Sequence, residues 1–143
     1  MIDLKLRLTE NDLGTFQVFK LTNAFGYGEI FNSTEVFRYS IQIFVKAFFT
    51  PLGSNLLDKE YGSGFFNYLR VLSADSSVAE SALKSIVKDS LTLSQKLFSN
   101  LKVTDYKKLL KNVTLVRFQL VDKRPIFSLR IENYYGETVD LEY

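Results

Sequence analysis

No cysteine and no histidine occur among the 143 residues of this chain. Without cysteine there is no disulfide framework and no thiolate chemistry. Without histidine the commonest general base and the commonest metal ligand are both missing. Ser-His-Asp and Cys-His nucleophile systems are therefore impossible. No apolar run approaches the ~20 residues that a membrane-spanning helix needs. Met1-Ile2-Asp3-Leu4-Lys5 alternates and carries charge, unlike a signal peptide. The expectation is a protein assembled in the cytoplasm, with no membrane partner. The formal charge is only +2, too weak a bias to argue for nucleic acid.

What is present is apolar and aromatic side chain, 46% and 15% of the residues. That suffices for one core in a single domain, residues 1–143. Ile2, Leu4, Leu6 and Leu8 alternate with Asp3, Lys5 and Arg7, the period of a half-buried strand. Glu10 to Gly14 reads as a turn, Phe16 to Leu21 as a second strand, and Thr22 to Ile30 as a loop. Asn32 and Glu35 are spaced as a capping box, with Phe31 and Val36 as a hydrophobic staple. The helix that follows places Phe37, Ile41, Phe44, Val45 and Phe48 on one side. A short helix is expected over 65–72. A long one begins at a second capping box, Ser77 and Glu80, with Ala79, Ala82, Leu83, Ile86, Leu93 and Leu97 inward. Serines and Thr92 lower its propensity and allow a break near 90–92. Asp105 to Lys107 suggests one further helical turn.

The period then returns to two. Val116, Phe118 and Leu120 share one face of a strand ending at Val121, and Asp122-Lys123-Arg124-Pro125 forms the turn. Phe127, Leu129, Ile131 and Tyr135 share one face of the next strand. After Gly136-Glu137 a short last strand carries Val139, Leu141 and Tyr143 against Asp140 and Glu142. The predicted class is α+β: N-terminal strands, helices on one face of a mainly antiparallel sheet, and a C-terminal β-meander.

The glycines and prolines cluster where this order turns. Thr50 to Phe65 holds one of two prolines and three of seven glycines. Pro51 ends the preceding helix, and Gly53, Gly62 and Gly64 accept positive φ. Leu56, Leu57 and Tyr61 suggest a loop pinned onto the core. The pattern Thr50-Pro51-x-Gly53, then Glu60-Tyr61-Gly62-Ser63-x-Phe65, resembles the sheath-initiator proteins of contractile phage baseplates, which have relatives in type VI secretion baseplates. The order of elements over roughly residues 30 to 140 agrees with that family. The resemblance implies a non-enzymatic structural protein of the virion's tail baseplate. It would template the first ring of tail sheath by β-strand addition and link it to the wedge. The implied partners are the tail sheath protein and baseplate wedge proteins, with the tail tube or hub beyond them. No cofactor is implied. Many family members carry Glu-Pro-Arg before the first C-terminal strand to grip the wedge. The region here reads Lys108-Leu109-Leu110-Lys111-Asn112-Val113, so no wedge-binding residue carries over.

Three other constellations bear on function. Asp58 and Glu60 form a carboxylate pair, but two residues apart in a loop such pairs more often serve turns than acid–base chemistry. Gly62-Ser63-Gly64 lacks the Gly-Lys-Ser/Thr of a phosphate-cradling loop. Residues 84–111 hold seven lysines and two acids, a set scattered around a helix rather than aligned. They support an alternative function, a small regulatory or adaptor domain of the same fold binding one soluble protein. For the initiator reading the expected joining surface is at the last strand, Val139, Asp140, Leu141, Glu142 and Tyr143, which is expected to be dispensable for folding; which C-terminal strand is the free edge is left open.

Overall fold

The computed structural model describes residues 36–101, 103 and 105–143 with their side chains, and residues 4–10 and 15–25 as backbone. The expected turn at 11–14, residues 26–30 of the expected loop, and the Asn32/Glu35 capping box with its Phe31 staple lie outside the described residues, whereas Thr22 to Phe25, expected in that loop, continue the second strand. In chain order the elements are β1 (Leu4–Glu10), β2 (Thr15–Phe25), α1 (Val36–Phe49), α2 (Phe65–Arg70), α3 (Ser76–Phe98), a 3-10 turn (Tyr106–Lys108), β3 (Leu110–Val121), β4 (Arg124–Asn133) and β5 (Thr138–Glu142). Helices against an antiparallel β3-β4-β5 meander make the fold α+β.

One face of the meander and the inner sides of the helices form a single core. Phe44, Val45 and Phe48 of α1, Phe65 of α2, and Leu83 of α3 are fully buried against Phe127, Leu129, Ile131 and Leu141. Aromatic rings dominate its centre. Phe48 lies 4.7 Å from Phe65 and 4.9 Å from Phe49, ring centre to ring centre. Edge-on and offset contacts of this kind add to what area burial alone supplies.

The helix α3 is continuous through 90–92. Thr92 Oγ1 donates to Lys88 O (3.1 Å) and Ser94 Oγ to Ser90 O (2.7 Å), so the hydroxyls bond back onto the helix rather than break it. Its buried stripe is Ala79, Leu83, Val87, Ser90, Ser94 and Phe98. Ala82 is exposed, and Ile86, Leu93 and Leu97 are half-buried, so the expected stripe was rotated toward the larger side chains. The cap also differs. Asp75 accepts from the Ser77 and Val78 amides, which puts Ser77 inside the helix.

The β3–β4 hairpin is tighter than the four-residue turn expected. Asp122 and Lys123 alone form it, both at positive φ (49° and 61°), as a two-residue primed turn requires. Pro125 therefore belongs to β4, opposite Leu120. The expected face of β3 is half wrong. The ladder pairs Leu115 with Leu129 and Arg117 with Ser128, leaving Val116 as an extra residue. This bulge switches the alternation. Val113 and Leu115 point inward before it and Phe118 and Leu120 after it, while Val116 is exposed. Tyr135 lies beyond β4 and is exposed; Asn133 takes the buried place at the strand end. Its Oδ1 accepts from the Tyr135 and Glu137 amides, which builds the turn that Gly136 completes at φ 80°.

Candidate functional site

The Thr50–Phe65 stretch is a backbone-to-backbone lock. Thr50 Oγ1 donates to Lys46 O (2.6 Å) and closes α1. The Ser63 amide donates to Thr50 O (2.8 Å), and the Leu52 amide to Ser63 O (3.1 Å), forming a parallel bridge between Pro51 and Ser63. The Ser63 hydroxyl donates to Phe48 O and accepts from the Phe65 amide, so it is spent on structure. Gly62 sits at φ 113°, and a Cβ there would stand 2.5 Å from Thr50 O and 2.9 Å from Pro51 C and O. Only glycine fits that approach. Gly53, at φ 81°, turns the chain back as the Ser54 amide donates to Pro51 O (3.1 Å).

The expected pinning of this loop onto the core fails at two of its three residues. Leu56 and Leu57 are not pinned to the core but stand 85% and 98% exposed. Phe66 is likewise 43% exposed, because α2 turns only Phe65 and Tyr68 inward. Tyr61 is half-buried, and Glu60 is exposed. Asp58 Oδ1 accepts from the Glu60 amide (3.0 Å) and Asp58 O from the Tyr61 amide (3.3 Å), so the Asp58 carboxylate holds a turn. Among the described residues no group of His, Cys, Asp and Glu could hold a metal ion, and no helix is long and apolar enough to cross a membrane.

The expected joining strand, Val139 to Tyr143, is not an edge. Strand order is β1-β2-β5-β4-β3. β5 pairs antiparallel with β4 over five residue pairs and parallel with β2 over three, Thr15 with Asp140 through Gln17 with Glu142. Leu141 is fully buried, and Tyr143 stacks on Phe127 at 5.0 Å. Asp140 faces away from the core and accepts both the Nε and Nη2 hydrogens of Arg130, its partner across the ladder (2.9 and 3.1 Å). The last strand is thus a core element, and its burial argues against its being dispensable for folding.

The outer strand is β3. Its amide directions follow from the register. Tyr143 and Phe127 exchange both backbone bonds, so odd-numbered amides of β4 face β5 and even-numbered ones face β3. The pairs Arg117–Ser128, Gln119–Ile126 and Val121–Arg124 are then the bonded ones. Phe118 and Leu120 consequently direct N–H and C=O away from the sheet. Before the bulge the outward phase falls on odd residues. There the Lys111 carbonyl accepts from Gln95 Nε2 of α3 (3.3 Å), which partly covers that end. Among the described residues the open stretch is Arg117 to Val121.

A second surface lies at the other end of β3. The 3-10 turn is capped by Asp105, whose Oδ1 accepts from the Lys107 amide (3.1 Å). Its Oδ2 accepts from the Tyr135 hydroxyl at 2.6 Å. That bond holds the Asp105 carboxyl below the usual carboxylate range and raises the Tyr135 hydroxyl above the usual phenol value. The Tyr134 amide donates to Lys107 O (3.0 Å), and Tyr106 meets the Tyr134 ring edge-on at 6.1 Å. Sequence reasoning did not bring these residues together, because their contact depends on how the 3-10 turn docks on the β4–β5 turn. No family model, curated protein or solved structure matches the chain.

Proposed function

We propose that this protein is a structural assembly component that receives a strand from a neighbouring protein along β3. The observation that carries this reading is the outward backbone of Phe118 and Leu120 on a strand that, among the described residues, has a ladder partner on one side only. Added strands take affinity from such main-chain groups and register from alternating side-chain pockets. Half-buried Phe118 and Leu120 alternate here with exposed Arg117, Gln119 and Val121, which sets one register. The resemblance of Thr50–Phe65 to sheath initiators supplies the kind of neighbour: a tail sheath subunit, on a contractile baseplate inside a virion. No catalytic, metal or cofactor role is proposed. The receiving strand moves from β5 to β3, because β5 is paired on both sides.

A cysteine-free chain makes the test clean. A photo-crosslinker on Gln119→Cys, in cells co-expressing a tail sheath protein and a baseplate wedge protein, should capture the sheath subunit. The same reagent on Lys84→Cys, on the exposed side of α3, should not. Capture from Lys84→Cys alone would favour the adaptor reading and end this one.

A further inference from the structure

We propose that the Leu56–Leu57 tip of the loop after α1 seats in an apolar groove beside the β3–β4 turn of a second copy of this chain. The contact needs no strand from another protein, so it goes beyond the function proposed above.

The tip is held out from the core. Leu52 is 60% exposed, and Leu56 and Leu57 stand almost wholly in solvent, three leucines in one loop. The polar groups of the loop are spent on keeping them there. Ser54 Oγ donates to Pro51 O (2.7 Å), Asn55 Oδ1 accepts from the Leu57 amide (3.0 Å), and Lys59 Nζ donates to Gly53 O (3.5 Å). The Asp58 turn and the Pro51–Ser63 bridge close its base. Exposed apolar side chains carry a hydration cost that a covering surface removes. A tip ordered before contact also loses little freedom on binding.

The same chain offers a receiving surface. An open groove of about 840 Å³ lies between α2 and the β3–β4 turn, with Leu69, Val121, Pro125, Ile126 and Tyr143 as its apolar lining. Val121, Ile126 and Tyr143 are 45%, 40% and 44% exposed. The tip does not fill the groove of its own chain, because Leu57 is left in solvent. Charge favours a second copy over other occupants. Asp58, Lys59 and Glu60 follow the tip, and Asp122, Lys123 and Arg124 rim the groove, all of them exposed. Each charge of one set has a counterpart of opposite sign in the other: two acids match two bases, and one base matches one acid. A lipid surface with anionic headgroups would instead meet Asp58 and Glu60 with like charge. Tip and groove are different surfaces of one chain, so the contact is head-to-tail and repeats from copy to copy.

The test is sedimentation velocity on the full chain over a range of concentrations. The wild-type protein should associate as concentration rises. Leu56→Ser with Leu57→Ser removes the tip, and Arg124→Glu with Ile126→Glu spoils the groove. Each pair should weaken association on the order of tenfold. All four positions are exposed, so both variants should keep their fold, which far-UV circular dichroism checks. Mixing the two variants brings one intact tip to one intact groove, and should yield a one-to-one dimer that neither forms alone. Val78→Ser, a change at an exposed apolar residue at the start of α3, should associate as the wild type does. A wild-type protein that stays monomeric, association retained by either paired variant, or a mixture that stays monomeric would overturn the proposal. So would wild-type binding to phosphatidylserine vesicles that the tip variant loses while its self-association persists. Strand capture at Gln119 does not use the leucine tip, so the two readings fail separately.

Discussion

Strands β3 and β5 both pair antiparallel with β4 but differ in length and in what lies on their other side. β3 has 12 residues, a bulge and, among the described residues, a ladder partner on one side. β5 has five residues and partners on both sides. The shorter strand, which ends one residue before Tyr143, carries fully buried Leu141 and leads into the Tyr143 ring that closes the aromatic core. The longer one exposes Val116 and Val121. Length and proximity to a chain end thus say little about which strand is open. Sheet order decides it, and sheet order is a long-range property.

The largest expected effect separates the two strands outright. Deleting residues 139–143 should abolish cooperative thermal unfolding, because it opens the core beneath Phe127 and Leu129. Even Leu141→Ala should cost ~2–5 kcal/mol, as for other buried large-to-small changes. Val116→Ala, at the bulge, should change stability by less than ~0.5 kcal/mol, as surface substitutions do. Chemical denaturation of both variants checks this, and equal losses would erase the contrast.

A smaller effect sharpens the comparison between two glycines that both need positive φ. Gly62→Ala must push against the Thr50–Pro51 backbone, whereas a Cβ on Gly136 meets nothing within 4 Å. Strain at one such φ costs ~1–3 kcal/mol. Gly136→Ala should stay near the low end of that range, and Gly62→Ala should exceed it because of the added clash. Unfolding midpoints that ranked them the other way would show that the Pro51–Ser63 bridge yields easily.

The smallest effect concerns the α3 cap. Hydrogen bonds from the Ser77 hydroxyl, and then from the Ser77 and Val78 amides, hold the Asp75 carboxyl below its usual range. A depressed folded-state value stabilises the fold above the unfolded pKa, about 3.9 for Asp. That contribution is lost as pH falls below ~4 through the folded value. Asp75→Ser keeps a capping oxygen without the titrating charge, so its melting temperature should fall less steeply on the acid side. An unchanged acid limb would assign the cap no part in it.

What the sequence disclosed follows the same division between local and distant. The helix stop at Thr50-Pro51, the structural roles of Gly53 and Gly62, and the α+β class were legible because each rests on local backbone preference or periodicity. The core residues of α1 were legible for that reason too. The bulge at Val116 was not, since a strict period of two carries no mark of an inserted residue. The Asp75 cap lost to a better-looking Ser77–Glu80 pattern two residues on. The tyrosine patch was invisible, because Tyr106 and Tyr134 meet only after the sheet has formed. Whether the last strand was an edge depended on where β2 pairs, which no local pattern encodes.

Backbone hydrogen exchange tests the central claim most directly. If β3 is the open strand, the Phe118 and Leu120 amides, which face outward, should exchange rapidly. The Asp140 and Glu142 amides, which face β2, should exchange slowly. Fast exchange at Asp140 and Glu142 with protection at Phe118 and Leu120 would place the open edge on β5 and contradict the account.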